Sequence, residues 1–324
     1  MRLLRDPALD FSSRARNLET TLAPNEPMDA YTARDLVRGS SALRRAGEPL
    51  ETITSNPSGA RRRPAYVSRV WGARIPSGSV FQVREGLWCS GPELTALELA
   101  GSLSELELTV LLCEMMGTYS VAPGYQGGMA QRAKPLTDPA RLTVFLREVG
   151  GVKGSRALEK ALKLAVAESA SPMETKLVLR LCLPAAKKGF GLKLLSMNKP
   201  LEVERLGAST NDRGIRKPDI LIAPWPGSDA NPVAIEYDGE ECHMTREGVL
   251  SDTVRGNELK AMGIGEYRVN REIYRNINYM EYLVEKVREE AGYPRRHRSA
   301  EDALRRKREH VELYKELARI GNVV

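Results

Sequence analysis

Cysteine and histidine are scarce in this chain, with 4 and 3 among 324 residues. The cysteines stand at 89, 113, 182 and 242, so none of them forms the close pairs used by zinc sites or by a small disulfide framework. Isolated, reduced thiols are expected. No uninterrupted apolar run approaches eighteen residues, which excludes an ordinary membrane-spanning helix from the reading. The opening stretch MRLLRDPALDFSS holds no apolar segment of useful length, so no secretion signal is expected and the cytoplasm is the expected compartment. Internal repeats and long low-complexity tracts are also missing.

What is present is the composition of a folded protein, 42% hydrophobic and 28% charged. A chain of 324 residues exceeds one ordinary core, so two or three domains are expected. The formal charge of +7 is unevenly spread. Residues 1–74 carry 13 Arg, no Lys and 8 acids, a net +5, and residues 293–324 carry 9 basic and 5 acidic groups, a net +4. The middle is therefore −2, and the basic character belongs to the ends.

Local patterning divides the chain into four stretches. Residues 1–64 combine a weakly striped helix at Tyr31 to Ala46, with Leu36, Val37 and Leu43, and a turn-rich segment from Ser55 to Pro64 that reads as a linker or arm. The arm carries Arg61, Arg62 and Arg63, read either as a solvated loop or as a phosphate contact. Residues 65–150 read as a small α/β region. Its strands are expected at Tyr66 to Val70, Val80 to Val83 and Leu87 to Cys89, and its helices at Pro92 to Ala100 and Ser104 to Met116. An exposed loop is expected over 123–136, and two amphipathic helices between Asp138 and Ala167 lead onward. Residues 151–290 hold the chemistry, and 291–324 form a basic C-terminal helix with a stripe of Leu304, Val311, Tyr314 and Leu317. In that tail Arg295, Arg296, Arg305 and Arg306 are candidate phosphate contacts or a solvated basic face.

Residues 171–270 are the informative segment. Ser171-Pro172-Met173-Glu174 is a helix start, with Ser as N-cap, Pro at the first helical position and an acid three residues beyond the cap. An extended stretch from Lys193 to Val203 follows. Then come two strands, one headed by Pro218-Asp219 and one reading Val233-Ala-Ile-Glu-Tyr-Asp238-Gly239. Alternation along a strand puts Glu236 and Asp238 on one face and Ile235 and Tyr237 on the other. If Asp219 lies on the adjoining strand, three carboxylates converge. Their mutual repulsion is relieved by a cation, and oxygen ligands with open positions suit Mg²⁺ or Mn²⁺. An ion so placed stabilises phosphodiester displacement and activates water.

These residues carry a family resemblance. Glu174, Pro218-Asp219 and Glu236-Tyr237-Asp238 resemble the PD-(D/E)XK nuclease core, with Asp238 standing where the usual motif has lysine. Ser-Pro-Met-Glu-Thr, the run from Ala234 to His243, and Asp252, Arg255 and Asn257 resemble the branch related to very-short-patch repair endonucleases. Residues 65–150 more loosely resemble the central region of proteins related to abortive-infection antitoxins, whose typical members begin with a winged helix. The nuclease resemblance covers roughly residues 155–285. It implies an α/β fold with a mixed sheet flanked by helices, Asp219 and Glu236 as metal ligands with Glu174 in support, and DNA as the partner. It further implies that Asp238 assists and that His243 or Arg255 moves a proton or neutralises phosphate.

Each residue has a plainer reading. Asp219 starts a strand, Glu236 forms a salt bridge, and Asp238 before Gly239 makes a turn. Glu174 completes a capping box, His243 sits on the surface, and Arg255 pairs with Asp252 one turn away. The leading expectation is a metal-dependent DNA nuclease with Glu174, Asp219, Glu236, Asp238, His243 and Arg255 at its site. The alternatives are a DNA-binding regulator that keeps the fold without the chemistry, and an interaction scaffold that does neither.

Overall fold

The computed structural model describes residues 49–54, 61–73, 75–84, 87–122, 128–204, 213–239 and 256–320. The helix expected at 31–46 lies outside them. Contacts divide the chain into two units, residues 1–165 and 166–322. The class is α/β, with mixed and antiparallel sheets among helices.

The first unit opens with a three-stranded sheet of β1 (Leu50–Thr54), β2 (Arg61–Arg62) and β3 (Tyr66–Val70), ordered β1-β3-β2. β1 runs parallel to β3 and β2 antiparallel to it. The arginine run expected as a linker or arm is therefore partly an edge strand, because the β3 backbone offers it hydrogen bonds that a free loop would take from water. β4 (Val80–Arg84) and β5 (Leu87–Ser90) form an antiparallel pair. Two helices follow, α1 (Pro92–Leu99) and α2 (Glu105–Met116). At the start of α2, Ser104 Oγ accepts from the Glu107 N–H (3.3 Å) and the Ser104 N–H donates to the Glu107 carboxylate (2.8 Å).

The unit continues past Gly117. The chain turns into a hairpin of β6 (Tyr119–Val121) and β7 (Met129–Gln131), then α3 (Pro139–Val149) and α4 (Ser155–Leu162). The buried Glu114 carboxylate of α2 accepts the Val121 N–H at 3.0 Å, which fastens the hairpin to the helix. α4 packs on α2 within this unit rather than leading into the next. Leu97, Leu108, Leu112, Leu142 and Leu158 are fully buried between these helices, each contributing about 2 kcal/mol by apolar surface removed from water.

The second unit is built on a four-stranded mixed sheet. After α5 (Pro172–Cys182) come β8 (Leu194–Met197) and a separate antiparallel ladder of β9 (Leu201–Glu204) and β10 (Arg213–Arg216). Then follow β11 (Ile220–Ile222), β12 (Val233–Asp238), a helical stretch at 256–261, and β13 (Gly265–Asn270). The sheet order is β13-β12-β11-β8, with β8, β11 and β12 successively antiparallel and β12 parallel to β13. A parallel neighbour cannot follow from a tight turn, so β12 and β13 are joined by a crossover connection. α6 (Arg271–Arg275), α7 (Ile277–Glu290) and α8 (Ala300–Arg319) complete the unit.

Alternation gives the sheet two unlike faces. Ile220, Ile222, Val233, Ile235 and Val269 join Leu177 and Leu181 of α5 and Met280, Leu283 and Val287 of α7 in the main core. Leu221 and Ala234 point the other way, into a smaller cluster with Val203, Leu259 and Ile264. Glu236 and Asp238 continue that second face, as the strand period requires.

α8 docks through His310, Leu313 and Leu317. The stripe expected through Leu304 is corrected: Leu304 is 51% exposed, because the contact begins nearer the middle of the helix. There the Arg306 guanidinium donates to the Ala185 carbonyl at 2.9 Å, and Lys188 pairs with Glu312 and Glu316. Among the described residues no helix is long and apolar enough to cross a membrane.

Candidate functional site

The strand ends on the smaller face of the second unit gather most of the acids singled out from sequence. Asp219 precedes β11 by one residue, and the register pairs Ile220 with Ile235, so Asp219 stands across from Glu236. Its Oδ2 accepts the backbone N–H of Tyr237 at 2.8 Å, which carries the side chain onto the neighbouring strand. Glu236 is 8% exposed. A carboxylate at that depth is costly without compensating partners, which makes it a constrained group.

Asp238 ends β12 and is half-buried. Opposite it on β13 lies Asn270, and opposite Glu236 lies Arg268. The Arg268 Nε donates to Glu266 Oε1 at 2.8 Å, while its Nη1 stands 3.9 Å from Asp238 Oδ1. Asn270 is occupied otherwise, its Oδ1 accepting the Ile273 N–H at 2.9 Å as the cap of α6. A second charge pair bounds this face, Arg216 Nε donating to the buried Glu258 at 2.6 Å.

Glu174 takes a different place. Ser171 Oγ accepts the Glu174 N–H at 3.1 Å, as the capping pattern anticipates. The Glu174 carboxylate reaches one residue past the cap, to the Ala170 N–H at 2.9 Å, and also accepts from Asn198 Nδ2 at 2.7 Å. Asn198 is a left-handed residue, φ +50°, in the turn between β8 and β9. Its own N–H donates to the carbonyls of Pro218 (3.0 Å) and Asp219 (3.1 Å). Asn198 thus ties the start of α5 to the head of β11, and through it Glu174 is linked to the backbone of Asp219.

Among the described residues no three Asp, Glu, His or Cys side chains come together as an ion-holding group. Of the expected convergence, the register sets Asp219 and Glu236 across from each other on adjoining strands. Asp238 lies beside Arg268, and Glu174 is engaged by two N–H donors. His243, Asp252 and Arg255 lie outside the described residues.

The candidate phosphate contacts sort by their surroundings. Arg62 and Arg63 are exposed in the first unit, and Arg61 belongs to β2. Arg295 is 89% exposed and 4.0 Å from Glu289. Arg305 is held by Asp302 and Glu309, and Arg306 by Glu309 and the Ala185 carbonyl. Burial, together with Arg288, Arg298 and Arg306, lowers the pKa of Arg296, whose Nη1 is 3.5 Å from the Phe190 carbonyl.

Sequence reasoning missed Asn198 and Arg268. The alternation in Gly265-Glu-Tyr-Arg-Val-Asn270 was the available signal for Arg268, since it places Glu266, Arg268 and Asn270 on one face. Asn198 carried no comparable signal beyond an Asn-Lys-Pro turn. Compared with protein families, with curated proteins and with solved structures, the chain has no match.

Proposed function

We propose that this chain is a metal-dependent DNA endonuclease with a PD-(D/E)XK-like core in its second unit, acting in the cytoplasm in a defence, repair or mobile-element setting. The observation that carries the reading is the Asp219–Glu236 pair at the end of a mixed, helix-flanked sheet, with Asp219 oriented by the Tyr237 N–H. Two carboxylates on adjoining strands fit Mg²⁺ or Mn²⁺, which are commonly held by one or two carboxylates with water and substrate phosphate filling the shell. Such an ion, when bound, supplies Lewis acidity and a more acidic bound water. Glu174 fits a supporting role, because N–H groups engage its carboxylate and Asn198 links it to the backbone of Asp219. In this reading Asp238 assists from the strand end, His243 hands a proton to the leaving oxygen, and Arg255 neutralises phosphate. Arg61, Arg62, Arg63, Arg295, Arg296, Arg305 and Arg306 are the candidate backbone contacts.

The decisive experiment is cleavage of duplex, mismatched and single-stranded DNA with Mg²⁺ or Mn²⁺, by the wild type and by Asp219→Asn. Cleavage that survives in the variant rejects the site. A second reading, a DNA-binding regulator that keeps the fold without cleavage, draws on Asp238 occupying the position of the motif lysine. Binding of all three substrates with cleavage of none, in either metal, selects it.

A further inference from the structure

We propose that Arg296 and Arg298, on the segment joining α7 to α8, form an oxyanion site for a phosphate group, backed by Arg288 and Arg306. The site stands apart from the acids and does not rest on the nuclease reading. Arg306 donates to the Ala185 carbonyl at 2.9 Å, and Arg296 Nη1 lies 3.5 Å from the Phe190 carbonyl, so both meet the loop that leads into β8. The far end of β8 is followed by Asn198, whose N–H donates to the Asp219 carbonyl. Four residues of strand, about 13 Å, separate the two places.

Arg288, 4% exposed near the end of α7, stacks on Tyr293 and donates from Nη2 to the Pro294 carbonyl at 3.1 Å. Its Nη1 is buried without a partner. Arg298 has Asp302 Oδ2 3.8 Å from its Nε and makes no hydrogen bond among the described residues, yet none of its nitrogens is closed to water. Arg296 forms no ion pair among the described residues. Burial, then Arg288 and Arg298, and also Arg306, push the pKa of Arg296 down, and Glu285 is the acid that opposes them. Guanidiniums held together against their repulsion, with N–H groups to spare, are relieved by an anion. A carboxylate brings one charge. A phosphate monoester brings about −1.5 to −2 near pH 7 and three acceptor oxygens, enough for two planar forks. Its source is a small molecule in solution or a nucleic-acid strand, and the test separates the two.

The test is calorimetric titration of the full chain with pyrophosphate and with acetate. The wild type is compared with Arg296→Gln/Arg298→Gln, with Arg298→Lys, and with Arg147→Gln/Arg156→Gln, which removes two exposed arginines of the first unit. The wild type should bind pyrophosphate saturably at one site and acetate not at all. Arg296→Gln/Arg298→Gln should weaken pyrophosphate at least about tenfold, Arg298→Lys less, since it keeps the charge without the fork, and the first-unit variant by less than about twofold. No saturable binding by the wild type, or equal losses in the two double variants, overturns the site. Competition with a short DNA duplex then identifies the source. Displacement of pyrophosphate assigns the phosphate to a nucleic-acid strand, its retention assigns a small molecule, and both sustain the site. Cleavage is not read, so failure here leaves the nuclease reading standing.

Discussion

The backbone N–H of Tyr237 holds Asp219 Oδ2 at 2.8 Å, and it makes an informative substitution available. Asn at 219 keeps an oxygen to accept that hydrogen bond but removes the charge. Asp219→Asn should therefore unfold in urea within about 1 kcal/mol of the wild type while losing cleavage by at least about 100-fold. Asn198 acts in the opposite sense. Its amide donates to Glu174 Oε2 and to the Glu168 carbonyl, and its positive φ is one that Asn tolerates better than most residues. Asn198→Ala leaves the buried Glu174 carboxylate short of a donor and puts in left-handed backbone a residue that tolerates it less well than Asn. A loss of about 2 kcal/mol is expected by urea unfolding. An unchanged midpoint would mean that Glu174 needs only the Ala170 N–H. Asn198 was not legible from sequence because its role depends on two elements, α5 and β11, that meet only in the fold.

At the scale of elements, α8 shows how a buried base couples a helix to pH. His310 stacks on Phe190 with ring centroids 4.0 Å apart, and its Nδ1 lies 3.4 Å from Glu281 Oε1. Burial first, then Arg298, Arg180, Arg306 and Arg296, push its pKa down to about 4, and the single acid does not offset them. The unfolded chain protonates this imidazole near pH 6.5, whereas the folded chain resists until about pH 4. Between those values the unfolded state binds more protons, so stability falls as pH drops from 6.5 to 4 and levels off below. The contribution is at most about 3 kcal/mol, less whatever solvent screens. Urea unfolding of the wild type and of His310→Phe across that window should show the slope in the former and lose this part of it in the latter. Leu317, fully buried on the same face, should cost about 2–4 kcal/mol on truncation to Ala. The amphipathic character of this helix was readable from period alone, but its buried face was misplaced. Helical period fixes the spacing of a stripe, and the partner surface decides which stretch of it is covered.

For the whole molecule, the net +7 overstates the charge available to phosphate. Arg305 and Arg306 are committed to Asp302 and Glu309, whereas Arg62 and Arg63 are exposed. If DNA binds, replacing Arg62 and Arg63 together with Ala should flatten the dependence of log K on log salt by close to 2, about 0.9 per phosphate contact. Arg305→Ala should change it less, and equal effects would show that the ion pairs open on binding. Binding isotherms from 50 to 200 mM salt measure this. The sequence by itself determined the α/β class, β3, β4, β5, β11 and β12, the helices α1, α2, α5 and α8, the Ser171 cap, and the shared face of Glu236 and Asp238. Each depends on local period, capping chemistry or strand alternation. Only the tertiary structure decided that Asp219 stands opposite Glu236, that Glu174 is engaged through Asn198, and that Arg268 joins the acids. Register between strands distant in sequence is set by packing of both sheet faces, and no local pattern encodes it.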